Sequence, residues 1–379
     1  MRVFLSAGEA SGDALGAALL GAFADKGISV QGFGMGGPLL RAAGLEVWRD
    51  AHEVAVFGLV EVLGHLPRLF RLVGELATRA IAQRPDVAIL IDVPDFHVRL
   101  AKRLTAAGIP VVTYVGPSVW AWRSGRARRY APHLRRLLVL FPFELPVWQA
   151  AGVDVVCVGH PLADEIQEAL PWALSEPKTV TLLPGSRRSE IARVLEPMLG
   201  AARQLRSSGD ANRFLLPVAP GLDRSLVEDP VARSGLPIEL VDGTSVAARR
   251  DAVGRASAAM LASGTISLEV ALLGRPQVLT YRVHPLTWRI ARPMIKLEHV
   301  GLANLVAGTG IAPELLQNEL TAERLAEETR RVLRPEGREQ ALLGIARVRE
   351  RLGPPGAAGR AADAVLEVVR APSGLATSA

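Results

Sequence analysis

Short apolar runs rich in β-branched residues alternate with glycine-rich turns and longer Ala-, Leu- and Arg-rich segments along most of the chain. Up to about residue 160 these runs predict the strands Val3–Ser6, Val87–Asp92 and Pro110–Val115. Such a βαβ rhythm is typical of a parallel sheet with crossover helices. A second series begins near Lys178 and predicts the strands Thr179–Leu183, Arg213–Val218, Ile238–Val241, Ala258–Ala262 and Gln277–Tyr281. We therefore expect an α/β protein with two doubly wound, Rossmann-like lobes that face a cleft.

The two lobes are expected to join within Gly159–Lys178, which has mixed composition and contains three prolines. The chain has 379 residues, more than the roughly 250–300 that a single hydrophobic core usually serves. The predicted domains are an N-terminal lobe over residues 1–165 and a C-terminal lobe over residues 166–350. Helical periodicity runs from Thr321 to Arg351, breaks at Gly353–Gly356 and resumes as far as Arg370. Residues 351–379 are therefore expected to form a C-terminal helix, able to cross back to the first lobe, and a frayed tail.

Composition narrows the classes of function. Its one cysteine, Cys157, excludes an internal disulfide and a cysteine-based zinc or iron–sulfur site. The seven histidines do not pair at metal-ligand spacing, so we expect neither a metal nor a cofactor. Glu9 and Asp13 interrupt the apolar start, so no export signal is evident, and no apolar run approaches the roughly 18 residues of a membrane span.

Charge points to acidic partners. The formal net charge of +6 favours phosphates or anionic lipids. The basic residues are mostly scattered arginines without interleaved aromatic residues, which argues against nucleic acid.

The first predicted strand leads into the turn Ala7-Gly-Glu-Ala-Ser-Gly-Asp13, with small residues where a ligand or another backbone approaches closely. Glu9 and Asp13 are expected at the carboxyl end of the strand, where open α/β sheets bind ligands, and their carboxylates suit sugar hydroxyls. Ser11 and Gly12 would lie on the acceptor side of such a site. The alternative is that the glycines serve only the tight packing of a βα turn.

A second acidic pair follows the strand that ends at Asp92, in the string Asp92-Val-Pro-Asp-Phe96. Asp92 would stand at the ligand edge of the sheet, where a carboxylate can remove a proton from an alcohol as a general base. The alternative is that Asp92 or Asp95 caps the next helix, since aspartate is a preferred N-cap residue.

The second lobe carries two turns suited to a nucleoside diphosphate. In Leu183-Pro-Gly-Ser-Arg187, the amides of Gly185 and Ser186 and the guanidinium of Arg187 would bind and stabilise a diphosphate without a metal, unless Arg187 is only a surface charge. In the next turn, Ser263, Gly264 and Thr265 present amides and hydroxyls to phosphate, and Glu269 can accept hydrogen bonds from a ribose.

Three segments bear on acyl chains and membranes. Trp120 and Trp122 either stack on sugars and help to recognise acyl chains or anchor a loop in the core. The stripe Leu66, Leu69, Phe70, Val73, Leu76, Ala77, Ala80 and Ile81 follows the apolar run Val54–Leu63 and is either an interfacial or a core helix face. In Pro285–Lys296, apolar and basic residues alternate as in interfacial segments.

Taken together, the motifs resemble the lipid-A-disaccharide synthase family, whose members are inverting glycosyltransferases of the GT-B fold. The resemblance spans Ser6 to about Gly308 and rests on the order of seven strings: Ala7–Asp13, Val60–Gly64, Asp92–Phe96, Pro117–Arg123, Leu183–Arg187, Ala262–Thr265 and Asn304–Gly308. The family's usual Leu-Pro-Asn-Leu is here Leu302-Ala-Asn-Leu305, which lacks the rigidifying proline next to Asn304.

The resemblance implies transfer of 2,3-diacylglucosamine from its UDP derivative to the 6-hydroxyl of 2,3-diacylglucosamine 1-phosphate. Asp92 would be the base, and Arg187, Glu269 and Asn304 would serve the UDP moiety. An acceptor and lipid side would include Val56, Phe57, Leu59 and Val60. The family also implies a cytoplasmic protein held peripherally at the inner face of the cytoplasmic membrane, whose surface is anionic, and it is compatible with a homodimer. The alternatives are an isomerase like UDP-N-acetylglucosamine 2-epimerase and a noncatalytic lipid- or nucleotide-binding protein.

Overall fold

The computed structural model describes residues 1–55, 62–119, 125–172, 175–292 and 298–371. It divides into two compact units, one formed by Met1–Pro161 with the segment from Pro355 onward and the other by Leu162–Pro354. The strands are β1 Arg2–Ala7, β2 Gln31–Gly36, β3 Glu46–Asp50, β4 Val87–Ile91, β5 Val111–Tyr114, β6 Arg136–Val139, β7 Val155–Cys157, β8 Thr179–Leu183, β9 Arg213–Val218, β10 Ile238–Asp242, β11 Ala258–Ala262, β12 Gln277–Tyr281 and β13 Glu314–Leu316.

Helices follow most of these strands, as in other βαβ folds. They are α1 Ala10–Asp25, α2 Pro38–Ala42, α3 His52–Ala55, α4 Val62–Gln83, α5 Pro94–Ala106, α6 Gly125–Tyr130, α7 Leu145–Gln149, α8 Leu162–Glu165, α9 Arg188–Ser207, α10 Ser225–Ser234, α11 Val246–Arg255, α12 Ile266–Leu272, α13 Pro285–Ala291, α14 Leu302–Ala307, α15 Ala322–Leu333, α16 Pro335–Leu352 and α17 Ala357–Arg370. Within the described part of the chain, no helix is both long enough and apolar enough to cross a membrane.

The first unit is a parallel sheet with helices on both faces. Its strand order is β3-β2-β1-β4-β5-β6-β7, and each neighbouring pair is parallel. Leu90 of β4 packs in a core with α4 and α5, whereas Ile91, which points to the opposite face, lies beside Gly16 of α1. Helix α17 packs on α1 and contacts β4 and β6.

Ion pairs and hydrogen bonds fix α17 within the first unit. Arg136 of β6 donates to the carbonyl of Ala364 at 3.0 Å and pairs with Glu367 at 2.5 Å. Lys26, just after α1, pairs with Asp363 at 2.8 Å. The helix therefore completes the face of the first sheet on which α1 lies.

The second unit repeats the design with six parallel strands in the order β10-β9-β8-β11-β12-β13. Its core brings α9, α10 and α15 against the sheet and includes Val180, Leu182, Phe214 and Met260, none of which is exposed. The predicted fold class, with two Rossmann-like lobes, is thus confirmed. All eight predicted strands are present, four with their expected bounds and four shifted by one residue at one or both ends.

Strand order also locates the ligand edges. In both sheets the chain reverses direction across the sheet beside its first strand, between β1 and β4 and between β8 and β11. In open α/β sheets, ligands bind outside the carboxyl ends of the strands at this switch point. The turns after β1, β4, β8 and β11 are therefore the ones to search for a site.

The apolar stripe on α4 is mainly a core face. Val73, Leu76 and Ala77 are at most 2% exposed, within a cluster that joins α4 to the first sheet. Phe70, by contrast, is 50% exposed. The core interpretation holds for most of the stripe.

Candidate functional site

At the switch point of the first sheet, the turns after β1 and β4 pack directly against each other. Asp92 and Val93 both adopt left-handed backbone conformations, with φ of 62° and 38°. This conformation is unfavourable for a β-branched valine and persists only where surrounding structure enforces it, commonly at functional sites. A Cβ on Gly8 would lie 2.4 Å from Cγ2 of Val93, so only glycine fits there. The glycine of one turn thus accommodates the strained residue of the other.

The Asp92 carboxylate is held by two donors. One oxygen accepts the backbone N–H of Val93 at 3.0 Å, and the other accepts the Ser11 hydroxyl at 3.2 Å. The side chain is half-buried. Neither Asp92 nor Asp95 caps α5, whose N-cap residue is Val93 and has no side-chain cap bond. The arrangement leaves lone pairs on a fixed carboxylate that can accept a further proton or hydrogen bond.

His97, which the sequence analysis did not single out, holds this turn through hydrogen bonds of its imidazole ring. Its Nδ1 lies 2.6 Å from the Asp92 carbonyl oxygen, and its Nε2 lies 2.9 Å from the Ser6 hydroxyl. Burial lowers the pKa of His97 to about 4, so the ring is neutral at neutral pH. Because a carbonyl only accepts, Nδ1 carries the proton and Nε2 accepts from Ser6. The imidazole thereby links β1 to the strained turn.

The other residues predicted in the first turn have different positions. Glu9 and Ser11 are exposed at the start of α1. Gly12 is buried, and a Cβ there would lie 3.4 Å from Ala7 and Ile91, which is ordinary packing. Glu9, Ser11 and Gly12 therefore all stay at this edge of the sheet.

Asp13 does not face a ligand, contrary to expectation. It is 3% exposed, and its carboxylate accepts the backbone N–H groups of Gly37, Leu39 and Leu40 at 2.7, 2.9 and 3.1 Å. These amides begin α2, where a negative charge is stabilised by the helix dipole. Asp13 therefore positions α2, a long-range role that the local sequence pattern did not indicate.

The residues predicted to contact acyl chains, namely Val56, Phe57, Leu59, Val60, Trp120 and Trp122, lie outside the described residues.

In the second unit, the turns after β8 and β11 line one cavity of about 470 Å³. Its wall includes all the predicted UDP-sugar residues except Asn304, namely Gly185, Ser186, Arg187, Ser263, Gly264, Thr265 and Glu269. Arg187 is the N-cap residue of α9, and its side chain is 80% exposed. The Arg187 guanidinium lies 3.4 Å from the Glu190 carboxylate. The cavity therefore combines a helix N-terminus, an exposed guanidinium and small residues, a suitable combination for a diphosphate.

Glu190 already occupies part of this phosphate-like position. One of its carboxylate oxygens accepts the backbone N–H groups of Ser186 at 3.2 Å and Arg187 at 3.4 Å. A Cβ on Gly185, whose φ is 108°, would lie 2.5 Å from that same oxygen. Burial and the nearby charge of Glu190 raise the pKa of Tyr281, at the end of β12. A diphosphate at these amides would have to displace the Glu190 carboxylate, which forms a capping box.

Glu269 is oriented by two arginines that the sequence analysis did not single out. Its carboxylate is 7% exposed and accepts from Arg249 at 3.1 Å and from Arg250 at 3.2 Å. A buried carboxylate needs such compensation, because an unpaired one would carry a large desolvation cost. Both arginines lie on α11, about 20 residues before Glu269, so the local sequence pattern did not predict these ion pairs. Glu269 is thus fixed at the cavity wall with its charge compensated.

Asn304 is not at the cavity wall, contrary to expectation. It is fully buried, and its amide nitrogen donates to the Ala312 carbonyl at 2.8 Å and to Glu314 at 2.6 Å. Its amide oxygen accepts the N–H groups of Ile311 and Ala312 at 2.9 and 3.0 Å. These bonds use its full capacity to connect α14 with the segment that enters β13.

Over the ranges of the chain that the structure describes, no group of three or more His, Cys, Asp or Glu side chains is arranged to hold a metal ion.

Comparison with known sequences gives full-length matches. The family model described as "Lipid-A-disaccharide synthetase" matches residues 3–352. The "Lipid-A-disaccharide synthase" of Myxococcus xanthus (strain DK1622) is 43% identical over 378 residues, covering 97% of each chain. The protein of the same description from Anaeromyxobacter dehalogenans (strain 2CP-1) is 42% identical, covering 97% of this chain and 98% of its own.

Comparison with solved structures gives the fold. A putative UDP-N-acetylglucosamine 2-epimerase from Listeria monocytogenes is similar at a TM-score of 0.64 and 14% identity, covering 97% of this chain and 95% of its own. MurG of Acinetobacter baumannii is similar at a TM-score of 0.62 and 15% identity, covering 97% and 99%. The two lobes thus have the architecture that GT-B glycosyltransferases share with these epimerases.

Proposed function

We propose, since the chain belongs to the lipid-A-disaccharide synthetase family, that it transfers 2,3-diacylglucosamine from its UDP derivative to the 6-hydroxyl of 2,3-diacylglucosamine 1-phosphate. The products are the β-1,6-linked disaccharide 1-phosphate and UDP. The observation that carries the proposal is the family membership over nearly the whole chain. A fixed carboxylate at the switch point of the first sheet and a cavity of about 470 Å³ at that of the second support it.

Asp92 is proposed as the general base. As the acceptor O6 attacks the anomeric carbon of the donor, its proton passes to the Asp92 carboxylate, while the bond from that carbon to the UDP oxygen breaks. A single displacement of this kind inverts the anomeric centre. Ser11 and the Val93 amide hold the carboxylate in place. A positioned base contributes about 10²–10⁴-fold to the rate.

The cavity of the second unit is proposed to bind the UDP moiety. Arg187 would neutralise the negative charge that develops on the departing diphosphate, which is the stabilisation that matters most in such a step. Glu269, oriented by Arg249, would accept hydrogen bonds from the ribose. Ser263, Gly264 and Thr265 line the same wall. Asn304 would act indirectly, by holding the segment before β13.

We also propose that the protein works peripherally on the inner, anionic face of the cytoplasmic membrane. Both substrates of the proposed reaction are acylated, so they reside in or at a bilayer. Leu39 and Phe70 are 51% and 50% exposed in the first unit, and Arg289 and Arg292 are exposed in the second. Sedimentation with anionic vesicles, reversed by salt, is the expected result, because basic residues contribute screened attraction. Failure to bind such vesicles would contradict this location.

The reaction is tested by identifying its product. With both acylated substrates, mass spectrometry should show the disaccharide 1-phosphate, and proton couplings should show a β linkage. With UDP-N-acetylglucosamine alone, no epimerised sugar is expected. Epimerisation without an acceptor would replace the proposal by the isomerase alternative.

A further inference from the structure

A second cavity, of about 470 Å³, lies in the first unit, apart from the contacts that fix Asp92. It is lined by Asp95 at the start of α5 and by Gly125, Arg126 and Arg129 of α6. Helices α5 and α6 both contact the short helical turn Ala131–His133, and Ala127 and Tyr130 of α6 are buried. The cavity therefore opens between the start of α5 and the arginine-rich helix α6.

Its charge is positive. Arg126 forms an ion pair with Asp95, whose side chain is 78% exposed. Over the described ranges of the chain, Arg129 has no ion-pair partner, and Arg128 has none either. Burial and the Asp95 charge raise the pKa of Tyr130 to about 12, so this tyrosine adds no negative charge at neutral pH. Two guanidinium groups thus face one exposed carboxylate.

In this ion pair the Asp95 side chain is 78% exposed, whereas that of Arg126 is 24% exposed. Because water reaches the carboxylate, the pair contributes little to stability, and a stronger anion can replace Asp95. A phosphate offers two negative charges and a bidentate geometry that guanidinium groups match. Partial burial by itself would lower the pKa of Arg126, but Asp95 and Tyr130 together outweigh it and raise that pKa, so the guanidinium is charged. Arg126 is therefore available to a phosphate even though it has a partner.

The cavity adjoins the proposed base. Asp95 follows Asp92 by three residues, which limits the distance between their Cα atoms to about 11 Å. A sugar whose hydroxyl reached Asp92 would therefore extend its remaining substituents toward this cavity. In a hexose 1-phosphate that is attacked through O6, the substituent across the ring is the anomeric phosphate.

We propose that Arg126 and Arg129 bind the 1-phosphate of the acceptor sugar. The inference rests on the proposed function, because it takes the acceptor to be a glucosamine 1-phosphate. The arginines orient the acceptor so that its 6-hydroxyl faces Asp92, and they distinguish phosphorylated from unphosphorylated acceptors. This role accounts for the cationic cavity beside an otherwise acidic turn.

The test compares Arg129→Ala with Arg128→Ala, a matched control that removes an exposed arginine of the same helix outside the cavity. Equilibrium dissociation constants are measured in detergent micelles for 2,3-diacylglucosamine 1-phosphate and for 2,3-diacylglucosamine. We expect Arg129→Ala to reduce the preference for the phosphorylated sugar about 10- to 100-fold, the contribution of a charge-assisted hydrogen bond. Arg128→Ala is expected to change this preference less than about twofold. Arg126→Lys should retain part of the preference that Arg126→Ala loses, since lysine keeps the charge.

Two results would overturn the inference: an unchanged preference in Arg129→Ala, or equal losses in Arg129→Ala and Arg128→Ala. Circular dichroism of each variant verifies that the unit is folded. Binding is measured separately from turnover, so failure of the proposed function is recognisable. If the parent protein binds the phosphorylated sugar through Arg129 and yet forms no disaccharide, the proposed function fails and the phosphate site stands.

Discussion

His97 offers the sharpest test of how the first unit holds the turn that carries the proposed base. Its buried ring joins Ser6 of β1 to the carbonyl of Asp92, the residue at which the left-handed turn begins. Substituting glutamine removes the ionisable ring but keeps a polar side chain. We expect His97→Gln to loosen the turn and to lower kcat through Asp92, with a smaller effect on the KM of the donor. This pattern distinguishes a positioning residue from one that binds UDP.

The contribution of His97 to the free energy of unfolding depends on pH because burial shifts the pKa of its ring. Burial lowers the pKa of His97 from 6.5 to about 4, so the folded state binds fewer protons than the unfolded chain between these values. The stabilisation is therefore complete above pH 6.5 and is lost as the pH falls toward 4. At about 1.36 kcal/mol per pH unit, the difference amounts to about 3 kcal/mol. Roughly 2 kcal/mol of this has been lost at pH 5.

Hydrogen exchange can measure this effect in the first unit alone, which matters because a chain with two units need not unfold in one step. Glu144 of the same unit, whose pKa burial raises to about 7, stabilises the fold as the pH falls and contributes equally to the parent and to His97→Gln. Between pH 7.5 and pH 5, the protection of peptides that cover β4 should therefore fall about 30-fold more in the parent than in His97→Gln, after correction for intrinsic exchange rates. An equal loss in the parent and the variant would refute the reasoning, as would an NMR titration of His97 with a pKa near 6.5.

Three further substitutions test individual contacts. Gly8→Ala puts a Cβ 2.4 Å from Val93, so we expect a loss of about 1–3 kcal/mol in unfolding free energy and a fall in kcat. Gly21→Ala, in open space on α1, should cause neither. Equal effects of the two substitutions would contradict the packing argument. Asp13→Asn should lower the unfolding free energy by about 1–3 kcal/mol in thermal melts, because three backbone donors lose a charged acceptor; an unchanged melt would be evidence against its capping role. Glu190→Gln should tighten UDP binding about threefold to tenfold in calorimetry, because the competing charge is gone; weaker binding would show that Glu190 assists UDP instead.

Much of the fold could be predicted because its central strands are continuous apolar runs. Thr179–Leu183 and Ala258–Ala262, buried on both faces, have the predicted bounds. Outer strands gave weaker signals. β2 contains three glycines. A Cβ on Gly34 would lie 2.0 Å from the carbonyl oxygen of Leu5 in β1, so this position requires glycine. The glycines leave β2 without the run of apolar side chains that marks a strand. β3 is polar and half-buried, which obscured its periodicity.

The positions of candidate site residues could be predicted where they follow the end of a strand. Asp92 and the turn at Gly185 were expected at the carboxyl edges of the two sheets for this reason, and they lie there. Partners that are distant in sequence could not be foreseen. Asp13 caps a helix 24 residues away, and Glu269 pairs with Arg249 of α11. His97 lacked any local signal, since its role comes from burial and from Ser6, which lies 91 residues earlier.

Asp92 is proposed to activate an acceptor hydroxyl for attack on a UDP-activated sugar. The most direct measurement is the release of UDP from UDP-2,3-diacylglucosamine, with and without 2,3-diacylglucosamine 1-phosphate, by the parent protein and by Asp92→Asn. We predict release that requires the acceptor and falls at least about 100-fold in Asp92→Asn. Release that is independent of the acceptor, or full turnover by Asp92→Asn, would contradict the account.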